Sequence, residues 1–256
     1  MNDIRITPVC AFKDNYVWVV SRGASAVVVD PGDARPVAEH LHAEGLQLAA
    51  ILNTHHHLDH VGGNAELVAE RAAPVYGPDD ARIPALTQRV GEGQRIAIAP
   101  LGIEFSVLEI PGHTRTHIAY YGAGMLFCGD TLFACGCGRL FEGTPRQMHD
   151  SLAKLARLPD ATRVYCGHEY TLSNIRFAKL VDTENPLLAE WEREAAAQRA
   201  RNEPTVPSTI GREKADNPFL RCSEQAIARS ASKHAGHALA DAVEVLAEIR
   251  EWKNSL

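Results

Sequence analysis

The chain has 256 residues, 45% hydrophobic and 23% charged, enough to bury a substantial core as one large domain or one large and one small. Its net charge of −6 is dispersed with no basic stripe, which argues against nucleic acid or an anionic membrane surface as partner. No apolar run approaches the roughly 20 residues that span a bilayer. The N-terminal MNDIRITPVC lacks the apolar core of a signal peptide, and six cysteines are too sparse for a disulfide framework, so a cytoplasmic protein with reduced thiols is expected; a monomer is the default expectation.

Residues 4–9, 16–20 and 26–30 read as short strands, the last closed by Asp30-Pro31-Gly32. The Asp-Pro-Gly turn accounts for Asp30; a hydrogen bond to a ligand histidine is the less favoured alternative. Residues 35–44 have helical periodicity and stop at Gly45. A strand over 48–52 delivers the chain into Thr54-His55-His56-His57-Leu58-Asp59-His60, and a helix over 65–72 follows Gly62-Gly63-Asn64. Strands are predicted at 102–110, 118–121 and 125–128, the last ending at Gly129-Asp130. Thr144, Pro145 and Gln147 mark a capped helix start running to about residue 158, and 163–166 is a strand ending at Gly167-His168. Beyond Thr171 the pattern changes to helices at 172–182, 187–200, 223–232 and 237–253, with a polar, proline-containing stretch at 202–217. The chain thus divides into an α/β region, 1–170, and a small all-helical region, 171–256.

Four histidines and a carboxylate within six residues after a strand are hard to explain as core packing. In an extended segment residues two apart face the same way, so His55 and His57 can converge on one point while Asp59 and His60 turn towards another. Further ligands must come from elsewhere. His113, Asp130 and His168 each follow a glycine just after a predicted strand, where glycine lets the backbone turn sharply. Neutral imidazoles and carboxylates suit zinc, iron or manganese without selecting among them. By contrast, His56 matches no ligand position, and His40, His42, His234 and His237 read as structural histidines on helices. Cys135 and Cys137 lack a second pair at zinc-finger spacing and read as structural. Neither His117 nor His149 receives a role.

The motifs T-H-H-H-L-D-H, P-G-H-T, G-D-T and G-H-E resemble, in order and spacing, the metallo-β-lactamase superfamily. That resemblance implies a four-layer αβ/βα sandwich carrying two divalent metal ions, zinc first and iron or manganese as alternatives. His55, His57 and His113 would hold one ion and Asp59, His60 and His168 the other, with Asp130 bridging. Within the superfamily, Gly136-Cys137-Gly138-Arg139-Leu140-Phe141-Glu142-Gly143-Thr144, Gly167-His168-Glu169-Tyr170-Thr171 and the closing Arg250-Glu251-Trp252-Lys253 are similar to segments of the hydroxyacylglutathione hydrolase (glyoxalase II) family.

This second resemblance implies hydrolysis of a small-molecule glutathione thioester by a hydroxide bridging the metals. Asp59, His60 and Asp130 would be catalytic, while Arg139, Phe141, His168, Tyr170, Arg250 and Lys253 would bind substrate. Phe141 stands where some members have tyrosine, which predicts weaker glutathione binding. Without the resemblance, Arg139, Arg250 and Lys253 read as ordinary solvated charges. The alternatives are a phosphodiesterase or nuclease of the same fold, a mononuclear-iron oxygenase acting on a glutathione persulfide, and a non-catalytic metal-binding protein. The acidic balance argues against the nuclease.

Overall fold

The protein is described here by a computed structural model covering residues 4–256; positions 1–3, the start of the segment read as lacking a signal peptide, lie outside the described residues. Two compact units form, Met1–Glu109 with Thr116–Gly129, and Ile110–Arg115 with Asp130–Leu256. Among the described residues no helix is long and apolar enough to cross a membrane.

In the first unit β1 (Arg5–Ala11), β2 (Asn15–Arg22) and β3 (Ser25–Val29) form an antiparallel meander. Strands β4 (Gln47–Leu52), β5 (Val75–Gly77) and β6 (Gln88–Arg89) extend it in parallel. Both faces of β2 and β3 are covered, which is why these strands run as near-continuous valine instead of alternating with polar residues. Helix α1 (Ala34–Ala43) starts where the Asp33 carboxylate accepts the Arg35 amide at 3.0 Å, and buries Val37 and Leu41. These pack with Val19, Val28, Ile51, Leu67 and Val75 into one apolar cluster. A single turn, α2 (Leu58–Val61), and helix α3 (Asn64–Arg71) follow β4. Strands β7 (Arg95–Ile98), β8 (Ile103–Glu109), β9 (Ile118–Gly122) and β10 (Met125–Gly129) pair antiparallel in that order.

In the second unit β11 (Leu132–Phe133) and β12 (Gly136–Cys137) make a minimal hairpin. Helix α4 (Pro145–Ala156) has the expected capping box, with Gln147 N–H donating to Thr144 Oγ1 at 3.2 Å and Thr144 N–H to Gln147 Oε1 at 2.9 Å. Then come β13 (Arg163–Cys166), α5 (Thr171–Val181), α6 (Leu187–Ala200), β14 (Ser208–Thr209), α7 (Ile210–Asp216), α8 (Gln225–Ala235) and α9 (Ala242–Asn254). The C-terminal region is helical apart from β14, which pairs antiparallel with β13 within the stretch expected to be irregular. Its last helix begins at Ala242, five residues later than the sequence suggests, because Asp241 caps it by accepting the Val243 and Glu244 amides at 2.8 and 2.9 Å.

Candidate functional site

In the first unit β4 ends by delivering Asn53 and Thr54, both fully buried, into the histidine run. Asn53 fixes that loop. Its carbonyl accepts the Tyr120 hydroxyl at 2.9 Å, and its Nδ2 donates to the His60 carbonyl at 3.1 Å. His55 Nε2 and His57 Nδ1 come within 3.1 Å, and His60 Nε2 lies 3.6 Å from Asp59 Oδ2. The four expected ligands of this segment therefore gather as their spacing suggests.

Beneath them lies Asp30, and here the turn reading is corrected. Its carboxylate is 4% exposed and accepts from the Thr54 amide and hydroxyl, both at 2.7 Å, and from His60 Nδ1 at 3.1 Å. The Thr54 hydroxyl proton is thereby committed to Asp30, so His55 Nδ1–H donates to Thr54 Oγ1 at 3.0 Å. Both rings thus turn Nε2 towards the cluster, and the neighbouring carboxylate keeps His60 in that tautomer. Asn15 does the same service for Asp59, donating to its Oδ2 at 2.9 Å. His56 points instead to Asp80 at 3.4 Å, a buried carboxylate that the Arg82 guanidinium holds far below the usual carboxylate range. His117 is fully buried and stacks on His55, with ring centroids 4.6 Å apart.

The second unit gathers the other three expected ligands. Asp130 Oδ2 lies 3.6 Å from His113 Nε2 and 3.2 Å from His168 Nε2. His113 Nδ1–H donates to the Arg139 carbonyl at 2.8 Å, again fixing the ring nitrogen that faces the carboxylate. Gly138 allows this approach, since a Cβ there would collide with the Asp130 carbonyl oxygen and sit 3.0 Å from His113 Nδ1. Of the glycines preceding the three ligands, Gly112 and Gly129 have positive φ, whereas Gly167 is not among the positive-φ residues. In both units the chemistry is that of an N/O donor set with oriented imidazoles, which fits divalent cations of the zinc, iron and manganese type.

A cavity of about 670 Å³ opens in the second unit, lined by His113 and Asp130 at one side and by Arg139, Phe141, Tyr170, Arg250 and Lys253 elsewhere. His168 is not among its lining residues; its ring stacks on Tyr170 with centroids 4.7 Å apart. Phe141 is 63% exposed and meets His113 edge-on at 5.3 Å. Arg250 and Lys253 are not solvated surface charges. Arg250 is 4% exposed, donates to the Cys137 carbonyl at 2.8 Å and lies over the Phe219 ring. Lys253 donates to Asn174 Oδ1, and burial, reinforced by the Arg250 charge, holds its ammonium down to about 8. No carboxylate lies within ion-pairing distance of either cation among the described residues. Asn174, itself buried, also donates to the Ala134 carbonyl at 2.9 Å, tying Lys253 to the hairpin that follows Asp130.

Histidine and aspartate ligand groups at strand ends on this mixed α/β frame define the class, a metal-dependent hydrolase of the metallo-β-lactamase fold with a helical C-terminal region. The Metallo-beta-lactamase superfamily matches residues 12–168, and the family described as Hydroxyacylglutathione hydrolase C-terminus matches 169–256. The hydroxyacylglutathione hydrolases of Nitrosomonas europaea and Nitrosomonas eutropha are 54% and 55% identical to this chain over 252 residues, 98% of it and 96% and 99% of their own lengths. The chain belongs to the hydroxyacylglutathione hydrolase family. Among solved structures, TTHA1623 in a di-iron-bound form is 30% identical with TM-score 0.61, over 84% of this chain and 100% of that one. ETHE1 from Myxococcus xanthus has TM-score 0.67 over 97% of this chain and 90% of its own, but at 24% identity it shares the fold alone. The weight of the close relatives and of the C-terminal family match falls on the hydrolase, against the persulfide-oxygenase alternative.

Proposed function

We propose that the chain hydrolyses S-(2-hydroxyacyl)glutathione thioesters, S-D-lactoylglutathione above all, to glutathione and the 2-hydroxy acid, as a cytoplasmic monomer acting in the second step of methylglyoxal detoxification. The observation that carries this reading is the cation pair of buried Arg250 and half-buried Lys253, without a carboxylate partner among the described residues, in the cavity that also holds His113 and Asp130. Buried charge without a partner is costly, and an anionic ligand group removes that cost. Glutathione offers such a carboxylate at its glycine end.

In this reading His55, His57 and His113 would hold one divalent cation and Asp59, His60 and His168 the second, with Asp130 serving both, zinc being favoured and iron or manganese the alternatives. Bound there, such ions supply Lewis acidity towards a thioester carbonyl and lower the pKa of water towards about 7. The chain's own residues do the rest. Asp59, anchored by Asn15, orients the attacking oxygen. Asp30 and the Arg139 carbonyl keep the His60 and His113 rings in the tautomer that presents Nε2. Arg250 and Lys253 take the glycine carboxylate, while Arg139, Phe141 and Tyr170 flank the tripeptide. The departing thiol, with a pKa of about 8.5, leaves as thiolate and needs no dedicated acid. We further propose that residues 1–170 form the catalytic part and 171–256 the substrate-binding part.

Metal-replete protein is expected to release free thiol from S-D-lactoylglutathione. Replacing Arg250 and Lys253 together by alanine should raise KM about tenfold or more while kcat stays within a factor of about two, the signature of lost uniform binding. Absence of thiol release from the metal-replete protein would overturn the assignment.

A further inference from the structure

Of the cations lining the cavity, Arg176 has no part in the reading above. It sits on the exposed side of α5 and makes no hydrogen bond or ion pair with any described residue. Arg5, Arg95, Arg146 and Arg201 have carboxylate partners at 2.6–3.2 Å, and the exposed Arg115, Arg157 and Arg193, which have none among the described residues, line no part of this cavity. Resting on the glutathione-thioester reading, we propose that Arg176, with Ser173 one turn before it, forms the subsite for the γ-glutamyl end of the tripeptide and is a specificity determinant of this enzyme.

The geometry of α5 supports this. Asn174, which holds Lys253, and Arg176 both line the cavity, yet two residues along a helix place them about 200° apart around its axis. The two cationic groups are therefore separated by on the order of a helix diameter, about 10 Å. An extended tripeptide spans about 10 Å as well, by the reach of about 3.3–3.6 Å per residue. A ligand with its glycine carboxylate on the Lys253 side thus brings its other carboxylate to the Arg176 side. That end of glutathione is an α-amino acid head, an ammonium beside a carboxylate. Arg176 offers a planar, two-pronged donor for the carboxylate. Ser173, a neighbour on the helix surface at i−3 and also a lining residue, offers a hydroxyl oxygen to the ammonium. In a lactoyl thioester of cysteinylglycine this head is absent, so the subsite discriminates between the two thiols.

The test is calorimetric binding of S-methylglutathione and S-methyl-cysteinylglycine to the metal-replete protein and to Arg176→Ala and Arg176→Lys. Wild type should bind S-methylglutathione about five- to tenfold more tightly than the shorter ligand, as one charge-assisted contact near solvent allows. Arg176→Ala should erase that difference without weakening the shorter ligand, and Arg176→Lys should restore part of it. An unchanged preference in Arg176→Ala, equal weakening of both ligands, or no binding of either by wild type overturns the proposal. Because binding is read apart from turnover, discrimination without hydrolysis would sink the thioesterase reading and keep the subsite. Hydrolysis with discrimination insensitive to residue 176 would do the reverse.

Discussion

Asp30 acts through the histidine and threonine it holds and Lys253 through its own charge, and each gives a sharp expectation. Asp30 fixes His60 from behind while also binding Thr54, which in turn receives His55. Asp30→Ala should therefore weaken metal binding about 10–100-fold, the range for removing a partner that orients a ligand histidine, as read by competition with a chromogenic chelator. Unchanged affinity would mean that the ring is held by packing alone. For Lys253, burial and the facing charges of Arg250 and Arg139 oppose protonation, while the thiols of Cys135 and Cys137 are raised, chiefly by burial, and stay neutral. A lysine held down to about 8 is charged below that pH and loses its carboxylate-binding charge above it. So kcat/KM for a glutathione thioester should fall as pH rises through about 8, and Lys253→Arg should move that fall beyond the measured range. The seven proposed ligand residues and Tyr170 stand out in the sequence because they sit in dense motifs. Asn15, Asn174 and Asp80 are not, since a lone asparagine or aspartate carries no pattern and its role exists only through what folding puts beside it.

At the level of elements, α7 occupies a stretch that the sequence presents as polar loop, and its main anchor is a buried acid. Glu213 is fully buried, accepts the Cys135 amide at 2.9 Å and Asn217 Nδ2 at 2.8 Å, and is pushed up to about 7 by burial. Below the unfolded value of 4.5 both states hold the proton, whereas between 4.5 and about 7 only the unfolded chain ionises, so stability declines as pH rises across that window. The full loss is about 3 kcal/mol at 1.36 kcal/mol per unit. Glu213→Gln removes the titration, so urea denaturation should show the variant gaining on wild type from pH 5 to pH 7.5; a constant difference over that range would contradict the burial account. Long periodic elements such as α1 and α4 are readable from sequence because their apolar faces and caps are written locally. Two-residue strands such as β6, β11 and β14 have no such period, and they exist because a neighbouring strand supplies their hydrogen bonds.

For the whole molecule, the compact units change at residues 109, 115 and 129, while the two family matches meet at 168 and 169. Contacts and ancestry thus draw different lines through the chain. The fold class is legible because each loop carrying a proposed ligand follows a strand, a grammar that repeats from His55 to His168. The central claim is that five histidines and two aspartates, gathered within their own units, serve a pair of cations in thioester hydrolysis. It is tested most directly by titrating metal-stripped protein with zinc while S-D-lactoylglutathione hydrolysis is read at each addition. Activity should climb until about two equivalents per chain are bound and then level off, as a two-ion hydrolase requires. Full activity at one equivalent, or two bound equivalents without hydrolysis, would contradict it.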